Sequence, residues 1–196
     1  MALLERALAA EFAKGANAVG SRAGLATVDG RGVHRVRAAV LLDADTVLVT
    51  RPATADDEGL LLEWANDPTA RRYSFSHPTI GAAEHRLWLA TKLNDPGSCV
   101  FLIVQTEDAV PLGTVRFDKK DDQWVVNYSV APAYRGRGLG RRLLELGLAR
   151  LRQTGRELPV VGRVAAANVP SHKVFIGLGF AAVVAADGIV EYRSTL

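Results

Sequence analysis

The sequence contains little of the material from which disulfide scaffolds, metal centres and membrane spans are built. Cys99 is the only cysteine and there are four histidines, so no internal disulfide or thiolate cluster can form. His34 and His172 have no carboxylate or cysteine at ligand spacing, so no metal site is expected. No apolar run has the length of a membrane helix, and the first residues lack the uninterrupted apolar core of a signal peptide. We therefore expect a metal-free protein in the cytoplasm, with no membrane partner.

The chain also carries little excess charge of either sign. Across 196 residues, 24 Lys and Arg balance 21 Asp and Glu, which leaves a net charge of +3. This is a modest charge for a nucleic-acid-binding protein, so no nucleic acid partner is expected. Several arginines instead cluster around residues 135–142. They can be solvated helix charges, or some of them can face a polyanionic ligand.

Three glycines in that cluster mark the first candidate site. Gly136, Gly138 and Gly140 alternate with larger residues, between a strand-like run over 123–130 and leucines at helical spacing from Leu139 onward. Alternate residues without a Cβ can turn their amides toward one point, and the following helix adds its unpaired N-terminal amides. No Gly-Lys-Ser/Thr follows, and the glycines are not spaced as in dinucleotide folds. The pattern predicts a loop that binds phosphate.

Arg135, Gly138 and Gly140 resemble the acyl-CoA pyrophosphate loop of the GNAT superfamily of N-acetyltransferases. A second block, with a strand at 160–164 followed by Asn168, Ser171 and the 175–180 segment, resembles that family's second motif. The resemblance extends over residues 46–196 and implies acetyl-CoA or CoA as the cofactor. The residues that it implies for cofactor binding are Ser129, Val130, Arg135, Gly136, Arg137, Gly138, Leu139, Gly140, Arg141, Asn168, Ser171 and Phe175.

The patterns predict an α/β fold of the α+β type, with a mixed, mostly antiparallel central sheet flanked by helices. Predicted helices begin after Thr54, at Ala82 (to Leu93) and at Leu139, whereas residues 63–78 are predicted to be a loop. A turn at Asp187-Gly188 closes the last hairpin. The predicted strands are 46–50, 99–106, 112–118, 124–130, 160–165, 180–184 and 189–193.

Residues 1–45 are predicted to be a helical appendage to the acetyltransferase domain of residues 46–196. Leu4, Leu8 and Phe12 have helical spacing, and a second helix is predicted from Val33. These helices resemble the end of the UDP-sugar hydrolase of pseudaminic acid synthesis, and the appendage could be a remnant of a longer fused protein. A helical cap or a contact in a homodimer is the alternative.

The loop 63–78 and the helix 82–93 resemble the GNAT branch that acetylates the 4-amino group of a UDP-linked amino sugar. The resemblance implies a small-molecule amine acceptor, a nucleotide sugar. A protein N-terminus, an aminoglycoside and a polyamine are the alternative acceptors. The residues expected to bind the acceptor are Trp64, Asn66, Arg72, His77, Trp88, Arg116 and Asp118.

Acetyl transfer to an amine needs a base, a donor to the developing oxyanion and an acid for the leaving thiolate. Glu84, His85, His77 and Asp118 are candidate bases, and the unperturbed pKa of His85 lies closest to neutrality. In the fold that the resemblance implies, the central strand separates from the next one, which makes a backbone amide near Ser129 or Val130 the candidate oxyanion donor. Many family members use a tyrosine as the acid at the position of Phe175. Phenylalanine has no proton to give, so the candidate acids in this chain are Tyr128, Ser129 and an ordered water.

Cys99 lies in an apolar strand with no flanking base. It is expected to be a packing residue, so direct attack of the amine in a ternary complex is predicted rather than an acetyl-cysteine intermediate. The alternative to an enzyme is a catalytically weak, CoA-binding interaction module. In that case the phenylalanine at position 175 reflects a loss of catalytic activity.

Overall fold

The computed structural model describes residues 46–76 and 78–194, and within β6 it leaves out the side chains of residues 184–186. The helices predicted for residues 1–45 and the predicted acceptor residue His77 lie outside the described residues. In the described part of the chain, no helix has both the length and the apolar composition needed to span a membrane.

Seven strands form one sheet in the described part of the chain. Their order is β1-β2-β3-β4-β5-β7-β6, and the β4–β5 pair alone is parallel. This confirms the predicted fold class of a mixed, mostly antiparallel sheet. The strands are β1 (Leu48–Pro52), β2 (Cys99–Thr106), β3 (Pro111–Lys120), β4 (Gln123–Val130), β5 (Val160–Ala165), β6 (Ala181–Ala186) and β7 (Ile189–Ser194).

Helices cover both faces of the sheet. The prediction of a loop over 63–78 was wrong in part, because the preceding helix extends to Ala65 and a short helix begins at Pro68. The Asp67 side chain caps this short helix by accepting from the amides of Thr69 and Ala70. Proline at the first helical position after an aspartate is the sequence signal that was overlooked. The helices are α1 (Glu58–Ala65), α2 (Pro68–Tyr73), α3 (Ala82–Leu93), α4 (Leu139–Arg152) and α5 (Val169–Gly177).

The sheet separates two packed layers. On the α1/α3 face, Leu61 and Leu89 pack against Cys99, Phe101 and Ile103 of β2. On the α4/α5 face, α4 comes very close to β3. A Cβ at Gly147 would lie 2.6 Å from the Cγ1 atom of Val115. Any side chain at Gly147 would therefore push α4 away from the sheet.

The β4–β5 pair separates halfway along its length. Pairing runs from Trp124 with Val160 to Val126 with Gly162 and then ends. On its other side β4 stays paired with β3 as far as Val130. A gap therefore opens between residues 127–130 of β4 and the end of β5.

Candidate active site

The gap between β4 and β5 widens into a cleft of about 1120 Å³, lined from both faces of the sheet. Most of the residues predicted for cofactor, acceptor and catalysis meet in it. Those that line the cleft are Trp64, Glu84, His85, Trp88, Arg116, Tyr128, Ser129, Val130, Arg135, Gly136, Gly138, Leu139, Gly140, Arg141, Asn168, Ser171 and Phe175.

Four of the predicted residues that the structure describes are not part of the lining, namely Asn66, Arg72, Arg137 and Asp118. The Asn66 amide accepts from the Ile80 amide and donates to the Ile80 carbonyl, both at 2.9 Å, so the polar atoms that were expected to hold the acceptor bind backbone instead. The Asp118 carboxylate is held by the cations of Lys92 and Arg116. Arg72 and Arg137 are exposed.

The glycine loop has a backbone conformation that favours glycine. Gly136 and Gly138 have φ angles of 76° and 73°, in the left-handed region that side chains disfavour, and Gly138 is the N-cap of α4. A Cβ at Gly140 would lie 3.3 Å from the Tyr128 ring and 3.4 Å from Val174 Cγ2. The glycine at 140 thus lets α4 pack closely on Tyr128 and Val174. The loop amides and the helix dipole fit a pyrophosphate such as that of CoA.

Arg135 begins this loop, and its side chain turns into the protein. Its Nε donates to the Val130 carbonyl at 3.1 Å, and its Nη1 donates to Asp67 Oδ1 at 2.5 Å. Burial would raise the pKa of Asp67, but Arg135 and the capped amides of α2 outweigh it and hold that pKa below its usual value. Sequence reasoning missed Asp67, for which the Asp-Pro cap was the available signal.

Tyr128 reaches across the gap from β4 to α5. Its hydroxyl lies 3.0 Å from Ser171 Oγ, in the first turn of α5, where the Asn168 side chain accepts from the Ser171 amide. Burial raises the pKa of Tyr128, although Ser171 works in the opposite direction. The phenol therefore keeps its proton at neutral pH.

Phe175 belongs to the core beneath the gap. It is 2 % exposed, stacks on Tyr192 at 5.2 Å and meets the Tyr128 ring edge-on. A Cβ at Gly162 would lie 2.2 Å from the Phe175 Cζ atom, so the tip of the ring rests on the backbone of β5. Phe175 therefore fills the space that the missing side chain of Gly162 leaves.

The ladder between β3 and β4 decides which amides face the gap. The Ala131 amide donates to the Leu112 carbonyl at 2.8 Å, and alternate residues of an antiparallel strand bond to alternate sides. The Ser129 amide is thus turned toward β3, and the amides of Tyr128 and Val130 are turned toward the gap. Of the two amides expected to stabilise an oxyanion, only that of Val130 has the required direction.

A cation lies against aromatic rings on the α1/α3 face of the cleft. The Arg116 guanidinium carbon is 4.8 Å from the centroid of the Trp88 ring and 5.6 Å from that of Phe101. Arg116 Nε and Lys92 Nζ bind separate oxygens of Asp118, at 2.8 and 2.7 Å. Burial would raise the pKa of Asp118, but the two cations outweigh it and lower that pKa. Two positive charges therefore share one negative charge beside the cleft.

His85 is the buried imidazole of the cleft. It is 2 % exposed, its ring lies 5.3 Å from that of Trp88, and its Nδ1 has no hydrogen-bond partner in the described part of the chain. Burial lowers the pKa of His85, and the nearby carboxylate of Glu58 opposes this. The imidazole is therefore neutral at pH 7 and can accept a proton.

The Cys99 thiol, unlike the His85 imidazole, is not available as a base or a nucleophile. Burial first, and then the Asp118 charge, raise the pKa of Cys99 to about 11. The thiol stays protonated and is a poor nucleophile. Among the described residues, no three His, Cys, Asp or Glu side chains are grouped as a metal site requires.

Solved structures share this fold at low sequence identity. A domain from Methanocaldococcus jannaschii is 21% identical, with a TM-score of 0.67, covering 78% of this chain and 100% of that one. The spermidine N-acetyltransferase of Vibrio cholerae, solved with CoA and spermine, is 16% identical, with a TM-score of 0.65, covering 76% of this chain and 94% of that one. A putative acetyltransferase from Salmonella typhimurium, solved with acetyl-CoA, is 20% identical, with a TM-score of 0.63, covering 77% and 95%.

No curated protein matches the chain at a significant level. The profile of the acetyltransferase (GNAT) domain, however, matches residues 48–181, more than half of the sequence. The chain therefore belongs to the GNAT acetyltransferase family and is an acetyl-CoA-dependent N-acetyltransferase.

Proposed function

We propose that this acetyltransferase acts on an amine that also carries negative charge, and that the acceptor is the 4-amino group of a nucleotide-linked amino sugar. The observation that carries the proposal is the charge of the cleft wall. Glu84 is the only carboxylate among its described lining residues, which include six cations. Arg116, Arg135 and Arg141 each have a carboxylate partner outside the lining. The other three cations are Arg71, Arg163 and Lys173.

The two best-known cationic acceptors fit such a wall poorly. Polyamines and aminoglycosides carry several positive charges, and a cleft that selects them needs carboxylates. A nucleotide sugar brings a pyrophosphate, which Arg116 can bind through the guanidinium edge that Asp118 does not occupy. Its rings can contact the apolar and aromatic surfaces of Trp64, Trp88 and Phe101.

Three groups of the chain support the chemistry. Acetyl-CoA supplies the activated acetyl thioester. His85 is a neutral base that lines the acceptor half of the cleft, and its imidazole can take the proton of the amine. The Val130 amide faces the gap and can donate to the thioester oxygen.

Tyr128 is the proposed acid for the leaving thiolate. Its raised pKa keeps the phenol protonated, and Ser171 holds the hydroxyl near the start of α5. Phe175 has no proton to give. The high pKa of Cys99 supports direct transfer, without an acetyl-cysteine intermediate.

The test is a panel of amines offered to the purified protein with acetyl-CoA. A UDP-linked 4-amino-6-deoxy sugar, the same sugar without the nucleotide, spermidine, an aminoglycoside and an N-terminal peptide are compared. We expect turnover of the sugar nucleotide and weak turnover of the free sugar. Turnover of the peptide or of spermidine, with none of the sugar nucleotide, would refute the acceptor.

The variant Arg116→Gln tests the charge argument directly. Loss of a charged hydrogen bond, worth about 1.5 to 3 kcal/mol, should raise the KM for the sugar nucleotide by about 10 to 100-fold. The KM for acetyl-CoA should not change, because Arg116 lies on the α1/α3 face. Arg156→Gln is the matched control, since Arg156 also lies over a tryptophan ring, Trp124, but is not part of the cleft lining. An equal rise in both variants would contradict the assignment.

The homodimer and the cytoplasmic location predicted from the sequence stay predictions. Light scattering of the full chain tests the first, and fractionation of the source cells tests the second.

A further inference from the structure

Residues 66–80, all described except His77, form a surface loop whose ends are tied together. Asn66 closes the loop through its paired hydrogen bonds with the backbone of Ile80, both at 2.9 Å. The loop contains α2 and contributes Arg71, Tyr73 and Phe75 to the cleft wall. We call it the acceptor loop. Closed in this way, it is a compact loop whose ends lie close together.

Asp67 ties the acceptor loop to a residue outside it, and Arg163 of β5, which lies over the Phe75 ring, makes a second such contact. The Asp67 Oδ1 accepts from the amides of Thr69 and Ala70 at 3.0 Å and from the Arg135 guanidinium at 2.5 Å. The side chains of Arg135 and Asp67 are only 28 % and 17 % exposed. An ion pair in such a partly buried position is stronger than one on the open surface.

Arg135 connects Asp67 to the cofactor side. It is the residue immediately before Gly136, so its backbone belongs to the glycine loop. Its Nε also holds the carbonyl of Val130, whose amide faces the gap. One guanidinium thus bonds to the end of β4 and to the acceptor loop, while its own backbone leads into the pyrophosphate site.

We infer that Arg135 and Asp67 are positioning residues that couple the two halves of the cleft, so that binding of CoA to the glycine loop stabilises the acceptor loop before the amine arrives. A ligand that holds the glycine loop in one conformation also holds the Arg135 backbone. The Arg135 guanidinium can then reach fewer positions. Asp67 and α2 then lose mobility with it. Such coupling is reciprocal, and an occupied acceptor site must strengthen CoA binding by the same factor.

The experiment is amide hydrogen exchange in residues 66–76 of the full chain, with and without saturating CoA. In the wild type, CoA should slow exchange there by about fivefold or more, the lower end of typical coupling between sites. The variant Asp67→Asn keeps a side-chain oxygen to cap α2 but loses the charge that binds Arg135. It should bind CoA and show little or none of this slowing. No amine is used, so the outcome is independent of the acceptor proposed above.

Asp57→Asn is the matched control. Asp57 also pairs with an arginine, Arg51, at 2.7 Å and accepts from a helix-capping amide, that of Thr54, at 2.9 Å. It lies outside the lining of the cleft, and CoA should still slow exchange in the acceptor loop of this variant. Equal slowing in Asp67→Asn and wild type, or no slowing in the wild type with CoA bound, overturns the inference.

Arg135→Lys tests the same link from the other side and leaves the α2 cap intact. A lysine keeps the charge but cannot hold the Val130 carbonyl and Asp67 with two fixed donors. We expect CoA not to slow exchange in the acceptor loop of Arg135→Lys. If CoA still slows exchange there, the inference is overturned. Failure of the wild type to bind CoA at all would be a different result, since it would remove the cofactor site itself.

Discussion

The two halves of the cleft are built in different ways. The cofactor half consists largely of backbone, from the loop 136–140 and the first turns of α4 and α5. The acceptor half consists of side chains from α1, α3, β2 and β3, such as His85, Trp88 and Arg116, which are distant in sequence. The first half depends on backbone conformation, and the second depends on which side chains meet.

The largest expected effect is in the acceptor half. Replacing His85 by Gln removes the neutral imidazole and keeps much of its volume, and loss of a general base costs about 10² to 10⁴-fold in kcat. CoA affinity should be unchanged. Steady-state kinetics and calorimetry of CoA binding measure the two quantities. A kcat within a few-fold of wild type would show that the amine loses its proton elsewhere.

The pH dependence of kcat/KM and of stability, compared between the wild type and His85→Gln, sharpens this test. Burial lowers the pKa of His85 below its usual 6.5, so if His85 is the base the acid limb of kcat/KM should lie below pH 6.5. Well above that pH the imidazole is neutral in both the folded and the unfolded chain. As pH falls below 6.5 the unfolded state gains the proton first, so stability drops. His85→Gln should lack both effects.

The next largest effect is expected in the cofactor half, from a substitution that disfavours the backbone conformation of the glycine loop. A Cβ at Gly138 would meet no protein atom within 4 Å, so within the protein a substitution acts through the φ angle of 73°. A left-handed residue with a Cβ costs about 1 to 2 kcal/mol, and Gly138→Val should weaken CoA binding by about 5 to 30-fold or more.

Gly138→Asn is the matched comparison, because asparagine adopts the left-handed region far more readily than valine. It should bind CoA within a few-fold of wild type in the same calorimetric assay. Equal weakening by Val and Asn would show that side-chain bulk, rather than backbone conformation, controls the loop.

The smallest effect is expected at Cys99, which lies on the α1/α3 face behind Asp118. With a pKa of about 11 the thiol is not a nucleophile, so Cys99→Ala should keep kcat within about twofold. Stability should fall by about 1 kcal/mol, a typical cost for a core substitution, as measured by urea unfolding. Complete loss of turnover by a folded variant would indicate an acetyl-cysteine route.

The difference between the halves also explains what could be predicted from the sequence. The bounds of α3 and β2 and the position of the glycine loop ahead of α4 follow from local patterns, and these were predicted. The left-handed glycines and the Asn168 cap were not predicted, although both also have local signals. The partners of Asn66, Arg135 and Asp118 were not, because Ile80, Asp67 and Lys92 meet them only after the chain has folded. A short helix such as α2 was hidden among polar residues that also suit a loop.

The contact between Phe175 and Gly162 limits the evolutionary routes open to this chain. A tyrosine at position 175 would carry its hydroxyl on Cζ, the atom that already rests on the backbone of β5. Phe175 is 2 % exposed and packed on this strand, so an added hydroxyl would require the ring or the strand to shift. A tyrosine at position 175 would therefore need repacking around residue 162 as well as the replacement itself. The proposed acid Tyr128, on strand β4, needs no such change.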